Sequence, residues 1–102
     1  MKVYNITSNK GNEIANQFII HDDYNNKYFQ SYNSIIIKIT NYFDDSKPNK
    51  TYLDKNYWDY SVTTGKYRNI FLEETKKDTE KKIANGEYVL TDLNLTNRIK
   101  GL

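Results

Sequence analysis

The chain contains no cysteine and only one histidine, one proline and one tryptophan in 102 residues. Without cysteine it can form neither a disulfide framework nor a thiolate metal site, and His21 alone cannot supply a histidine cluster. The four glycines are scattered along the chain, so neither a P-loop nor a dinucleotide-binding fingerprint is present. The sequence therefore predicts a protein without metal or cofactor, in a reducing compartment.

Long apolar runs are also missing. No stretch approaches the roughly 18 apolar residues that a membrane-spanning helix needs, and the N-terminus lacks the apolar segment of a signal peptide. The formal net charge of +2 is too small to indicate a nucleic-acid or membrane partner by itself. We therefore expect a cytoplasmic protein of one domain, residues 1–102, that does not bind membranes.

Aromatic residues make up 15% of the chain, including 10 tyrosines, and supply the large apolar surface that a modest core requires. The most strand-like segment is residues 34–40, where four isoleucines within five positions disfavour a helix by crowding at χ1. Weaker patterns of the same kind predict strands at residues 2–7, 16–21, 27–32 and 51–53, and an extended stretch at 87–90.

The second half of the chain has helical periodicity. Tyr67, Ile70 and Phe71 recur at the i, i+3 and i+4 spacing, and Thr64 is placed to cap the helix. A shorter, lysine-rich helical turn follows at residues 80–85. Strands first and helices later predict an α+β fold, with a small antiparallel sheet of four to five strands followed by two short helices packed on one face.

No catalytic constellation stands out. His21 lies beside Asp22 and Asp23 at the end of a predicted strand, and no serine or cysteine nucleophile is indicated nearby. The pairs Asp22-Asp23 and Asp44-Asp45 lack the spacing of a calcium-binding loop, so we interpret them as solvated turn residues. The sequence therefore predicts that the protein is not an enzyme.

The densest aromatic cluster leads directly into the first helix. Three large rings within four residues cannot all face one core, so at least one should be exposed, and Trp58 is interpreted either as a recognition residue or as a core anchor. Arg68, one of two arginines, follows on the helix, and Trp, Tyr and Arg dominate binding hot spots. The predicted partner-binding surface consists of Tyr57, Trp58, Asp59, Tyr60, Thr63, Thr64, Lys66, Arg68 and Asn69. We expect Lys66 and Arg68 to be exposed, so that reversing both charges weakens binding without unfolding the protein.

Three blocks of the sequence resemble short proteins encoded by phages and mobile elements of low-GC bacteria. The blocks are NQFII at residues 16–20, YFQSY at 28–32 with isoleucines at 35–36, and WDYSxTTxKYRNxFL at 58–72. The resemblance spans residues 1–88. It implies an accessory protein that binds and inhibits a bacterial defence protein in the host cytoplasm, and an anti-CRISPR inhibitor of a CRISPR effector nuclease in particular.

A second function that the residues leave open is binding of single-stranded nucleic acid. Tyr28, Phe29 and Tyr32 fall on one predicted strand, and aromatic rings on a sheet can stack on exposed bases. Such a module requires a marked loss of affinity as salt rises.

A third function is a sponge that sequesters a nucleotide immune signal. Hydroxyl groups and cations gather at the start of the predicted helix, where free N–H groups can hold phosphate. The phosphate pocket would consist of Thr63, Thr64, Lys66 and Arg68, with Tyr60 as the shelf for the base.

Overall fold

The computed structural model describes residues 1–95 as a six-stranded sheet with two helices. The strands are β1 (Lys2–Thr7), β2 (Glu13–His21), β3 (Lys27–Ser31), β4 (Ser34–Thr40), β5 (Lys50–Asp54) and β6 (Tyr88–Thr91), and the helices are α1 (Val62–Leu72) and α2 (Lys76–Ala84). Neither helix in this part of the chain has the length and apolar character needed to cross a membrane.

The core is built on one row of side chains that crosses the sheet. Ile19, Phe29, Ile37 and Leu53 lie side by side on β2 to β5, and the last three are fully buried. Because side chains alternate between the two faces of a strand, this register places all four on the same face. The ring of Phe29 stacks on Phe71 of α1 at a centroid distance of 5.7 Å, so α1 covers this face.

Both helices contribute side chains to this core. Phe71 and Leu72 of α1 and Ile83 of α2 pack against the buried cluster. Gln17 of β2 is also fully buried, opposite Ser31, and its amide has no hydrogen-bond partner among residues 1–95. A buried amide without a partner lowers the stability of the fold.

The sheet is mixed rather than antiparallel. β1 to β5 form an antiparallel meander, and β6 then pairs with β5 in parallel. Parallel neighbours require a crossover connection, and here α1 and α2 together provide it. The predicted α+β class is confirmed, and the predicted sheet of four to five antiparallel strands is roughly right: β1 to β5 are antiparallel. The stretch predicted as extended at 87–90 adds a sixth strand, which is parallel because the two helices carry the chain back to the same end of the sheet.

Both helices begin earlier in the chain than predicted. Ser61 caps α1, its side chain accepting a hydrogen bond from the Thr64 N–H. Thr64 is buried inside α1, so its prediction as the cap was wrong. α2 begins after Thr75, which forms a reciprocal capping box with Asp78.

Candidate functional site

The sequence-predicted surface surrounds a buried arginine. Arg68 is only 1% exposed, and its Nη1 donates to the Trp58 carbonyl at 2.8 Å and to Asp59 Oδ1 at 3.0 Å. Its Nη2 donates to Asn69 Oδ1 at 3.0 Å, and its guanidinium carbon lies 5.2 Å from the centroid of the Trp58 ring. The guanidinium therefore links the loop that precedes α1, at Trp58 and Asp59, to the helix through hydrogen bonds.

The prediction that Arg68 is exposed was wrong. It lies on the inward face of α1 with Thr64 and Gly65, and a Cβ built on Gly65 would be in ordinary van der Waals contact with the guanidinium, 3.6 Å from Nη2. A buried cation is tolerated when hydrogen bonds and an opposite charge satisfy it. Reversing the charge of Arg68 would consequently disrupt the fold rather than test binding.

Asp59 connects this arginine to α2. Its Oδ2 accepts a hydrogen bond from Lys76 Nζ at 2.6 Å, while Oδ1 faces Arg68. Burial alone would raise the pKa of Asp59, but the hydrogen bonds and charges of Lys76 and Arg68 outweigh it and hold the pKa below its usual value. Asp59 is therefore a structural anion between the two helices.

The predicted surface is thus only partly assembled. Tyr60, Thr63 and Lys66 are exposed, and the ring of Tyr60 packs edge-on against Tyr57 at 5.2 Å. Trp58 is half-buried and packs against the core, as expected of a core anchor. The remaining members are the half-buried Asn69, the ion-paired Asp59, and the buried Thr64 and Arg68.

The phosphate pocket expected at the start of α1 is not formed. Thr64 Oγ1 lies 2.9 Å from Ser31 Oγ in the interior, and Arg68 is fully engaged with the loop. The Ser61 side chain accepts a hydrogen bond from the Thr64 N–H, and the Ser61 carbonyl accepts one from the Gly65 N–H. Of the four predicted phosphate ligands, only Thr63 and Lys66 reach the surface.

The three sheet aromatics expected to stack on nucleic acid do not share a surface. Phe29 is buried beneath Phe71, whereas Tyr28 points to the other face of the sheet and Tyr32 lies in the turn between β3 and β4. Tyr28 donates to Asp22 Oδ2 at 2.8 Å, and burial together with this carboxylate raises the pKa of Tyr28 to about 12. No common stacking platform results.

The structure reveals instead an aromatic cluster formed by Tyr4, His21, Tyr42 and Phe43. The His21 ring lies 5.3 Å from Tyr4 and 4.7 Å from Phe43, and Tyr42 and Phe43 are 4.9 Å apart. Tyr4, Tyr42 and Phe43 are 41%, 39% and 49% exposed. Four rings thus form a continuous row of contacts at the surface, from Tyr4 through His21 and Phe43 to Tyr42.

Three separate segments position these rings. Tyr4 and His21 come from the paired strands β1 and β2, and Tyr4 Oη lies 3.1 Å from His21 Nε2. Tyr42 and Phe43 follow β4, and the Tyr42 N–H donates to the Asn25 carbonyl of the β2–β3 turn at 2.8 Å. This cluster was missed by sequence reasoning, although two adjacent aromatic residues directly after the strongest strand were a usable signal.

Two lysines give the aromatic cluster a positive rim. Lys27 Nζ lies 4.3 Å from the centroid of the Tyr42 ring and donates to Tyr42 Oη at 3.2 Å. Partial burial and the charges of Lys27 and Lys2 lower the pKa of His21. Within residues 1–95 neither Lys2 nor Lys27 forms an ion pair. The cluster therefore presents aromatic rings beside two cations that have no carboxylate within ion-pair distance in residues 1–95.

The opposite face of the sheet carries a cavity of about 500 Å³, lined in part by Ile20, Tyr28, Ile35 and Lys38. Asp22 also lines it, but its carboxylate already accepts four hydrogen bonds. Although burial opposes ionisation, these bonds lower the pKa of Asp22 to about 2. Asp22 therefore stabilises the β2–β3 turn, and no group of three or more acidic or histidine side chains in residues 1–95 is arranged to hold a metal ion.

Comparison with curated proteins and with solved structures finds no match. A family model does match, over residues 1–86, and this region contains the aromatic cluster, the sequence-predicted surface and both helices but ends before β6. The model is that of a family of unknown function, DUF8033, and because it covers most of the chain, the protein belongs to this family.

Proposed function

We propose that the protein acts by binding rather than by catalysis, and that the aromatic cluster occupies a pocket or groove on a protein partner. The observation that carries this proposal is the contact of four rings at the surface, three of them substantially exposed. Contiguous exposed apolar patches on a protein surface mark interaction sites, and tyrosine and other aromatic residues supply much of the energy of protein interfaces.

The rigidity of the cluster supports the same proposal. Tyr4 and His21 are fixed by the β1–β2 pairing, and Tyr42 is held by the Asn25 carbonyl and by Lys27. Side chains that are already ordered before binding lose less conformational entropy on association. An aromatic surface of this kind can therefore contribute affinity from a small contact area.

The charges around the cluster indicate the chemistry of the partner. Lys2 and Lys27 lie beside the rings without an ion-pair partner in residues 1–95, and burial together with their charges lowers the pKa of His21. A complementary surface would place aspartate or glutamate side chains around an apolar pocket. The resemblance of the sequence to phage and mobile-element accessory proteins favours a bacterial defence protein as this partner, and we propose a CRISPR effector nuclease.

The test compares Phe43→Ala with Tyr60→Ala. Both positions carry an exposed aromatic ring, but only Phe43 belongs to the aromatic cluster, whereas Tyr60 belongs to the sequence-predicted surface. Binding to a panel of purified, guide-loaded CRISPR effector nucleases is measured by calorimetry, and inhibition by DNA cleavage. We expect Phe43→Ala to weaken binding and inhibition by about tenfold or more and Tyr60→Ala to leave both nearly unchanged.

Each other outcome selects a different conclusion. If Tyr60→Ala loses affinity and Phe43→Ala does not, the binding surface is the sequence-predicted one. If no nuclease is bound but a single-stranded oligonucleotide binds with steep salt dependence, the protein is a nucleic-acid-binding module. If the panel and the oligonucleotide both fail to bind, the proposed partner class is wrong.

A further inference from the structure

One asparagine of the fourteen in the chain, Asn85, is followed by glycine. The side-chain amide of an asparagine can react with the main-chain nitrogen of the next residue, and a side chain on that residue hinders the attack. Glycine has no Cβ and leaves the attack unhindered. Both Asn85 and Gly86 are exposed, where the connection from α2 to β6 begins. This is therefore the position at which the sequence makes the reaction easiest.

The structure holds the attacking nitrogen only weakly. Asn85 ends α2 with φ −90° and ψ 0°, and Gly86 has a φ of +87°, in the region that favours glycine. The Gly86 N–H donates to the Ile83 carbonyl at 3.3 Å, which is long for a main-chain hydrogen bond. Within residues 1–95, and apart from its chain neighbours, no heavy atom lies within 4 Å of the position that a Cβ on Gly86 would take. The surroundings of this nitrogen are therefore open.

The side-chain amide of Asn85 is held by Glu87. Its Oδ1 accepts a hydrogen bond from the Glu87 N–H at 2.9 Å, and its Nδ2 donates to Glu87 Oε1 at 3.0 Å. The N–H donor stabilises negative charge on the amide oxygen, which develops when a nitrogen adds to the amide carbon. The carboxylate acts in the opposite sense, because it stabilises the intact amide and repels that negative charge. Removing this carboxylate should therefore make the amide easier to lose.

We propose that Asn85 is a site of spontaneous deamidation and that the Glu87 carboxylate slows the reaction. The Gly86 nitrogen bonds to Cγ of Asn85 and the Cγ–Nδ2 bond breaks. The proton of the Gly86 N–H passes through water to the departing nitrogen, which leaves as ammonia. One water molecule then opens the resulting succinimide ring at either carbonyl, so the product is aspartate or isoaspartate. This proposal does not depend on the partner named above.

The product should weaken the connection between α2 and β6. An amide nitrogen that donates to Glu87 is replaced by an oxygen that carries negative charge, so an attractive contact becomes a repulsive one. Negative charge is also unfavourable at the C-terminal end of a helix. Isoaspartate in addition lengthens the main chain by one methylene group. Deamidation is therefore expected to lower the stability of the fold.

Mass spectrometry of the full chain, incubated at mildly alkaline pH, tests the site. Each deamidation raises the mass by about 1 Da, and peptide mapping assigns it to a residue. We expect Asn85 to react at least about tenfold faster than Asn33, an exposed asparagine that is followed by serine and serves as the internal control. Asn85→Gln should remove the fast reaction.

Two variants test the role of the carboxylate. Glu87→Ala keeps the main-chain N–H donor but removes the carboxylate, and it should raise the rate at Asn85 about threefold or more. Glu80→Ala, which removes an exposed carboxylate from α2, is the matched control and should leave the rate unchanged. The rate at Asn33 is measured in the same samples, because partial unfolding of Glu87→Ala would accelerate both asparagines, whereas the proposed effect is confined to Asn85.

The deamidated chain carries one more negative charge and is separated from the intact chain by ion exchange. We expect it to melt about 2–5 °C lower, and equal melting temperatures would refute the inferred weakening. Three results would overturn the proposal itself: an Asn85 that reacts no faster than Asn33, a mass gain that Asn85→Gln does not remove, or a Glu87→Ala variant in which the rate at Asn85 does not rise relative to that at Asn33.

Discussion

At the scale of single residues, the most consequential side chain is one buried cation. Arg68 satisfies the Trp58 carbonyl, one oxygen of Asp59 and the amide oxygen of Asn69, and it stacks on the Trp58 ring. Each of these groups would lose its partner if the guanidinium were removed. Arg68 therefore stabilises the fold mainly because it donates hydrogen bonds to several polar groups, and less because of its charge alone.

We predict that Arg68→Met lowers the free energy of unfolding by about 3–5 kcal/mol, because the substitution keeps the length of the side chain but leaves Asp59 Oδ1, the Trp58 carbonyl and Asn69 Oδ1 without the donors that Arg68 supplies. Urea denaturation followed by tryptophan fluorescence measures the change, since Trp58 reports on this loop. Lys66→Ala on the exposed side of α1 is the control and should change stability by no more than about 0.5 kcal/mol. A stable Arg68→Met variant would show that the loop is held by packing alone.

At the scale of elements, one carboxylate joins both helices to the last strand. Glu74, in the connection between α1 and α2, has a side chain only 7% exposed. It accepts hydrogen bonds from Thr79 Oγ1 at 2.6 Å, Lys82 Nζ at 2.7 Å and Tyr88 Oη at 2.8 Å. Burial alone would raise the pKa of Glu74, but these three donors and the charge of Lys82 lower it below its usual 4.5.

The lowered pKa predicts how stability depends on pH. The contribution of Glu74 to the stability of the fold is fully present above pH 4.5. It is lost as the pH falls through the lower pKa that Glu74 has in the folded state, because the unfolded chain binds the proton more readily. We expect Glu74→Gln to lower the free energy of unfolding by about 1–3 kcal/mol at pH 7. The difference between the wild type and Glu74→Gln should narrow as the pH falls below 4.5. Urea titrations at pH 7 and near pH 3 measure the free energy of unfolding of both proteins. If the wild type and Glu74→Gln differ by the same amount at the two pH values, the ionised carboxylate of Glu74 is not the source of the extra stability.

At the scale of the whole molecule, strands and helices that short sequence patterns encode could be predicted, whereas pairings between distant segments could not. The isoleucines of β4 and the spacing of Tyr67, Ile70 and Phe71 are local signals, and the elements that they predict are present. The parallel pairing of β6 depends on where two helices deliver the chain, which no short pattern encodes.

The candidate site follows the same rule. Arg68 was assigned to the surface because charged side chains are rarely buried, and its burial follows from partners nine and ten residues earlier in the chain. The aromatic cluster joins β1, β2 and the segment after β4, so its contacts depend on the register of the sheet.

The last prediction concerns β6 and the residues that follow it. The family model ends at residue 86, but residues after it contact the rest of the fold. Tyr88 donates a hydrogen bond to Glu74, and the Leu93 N–H donates one to the buried Asp54 at 2.8 Å. The Asn94 side chain accepts a hydrogen bond from the Ile35 N–H and donates one to the Ile35 carbonyl. A chain that stops at residue 86 loses all these contacts and exposes the edge of β5. We therefore expect it to melt at least about 10 °C below the full chain, because several kcal/mol are lost from a domain of this size. A chain that stops at residue 95 keeps every one of these contacts and is the control. Thermal unfolding followed by circular dichroism compares the three, and equal melting temperatures for the chains ending at 86 and 95 would show that the five-stranded meander and the helices form a complete folding unit without β6.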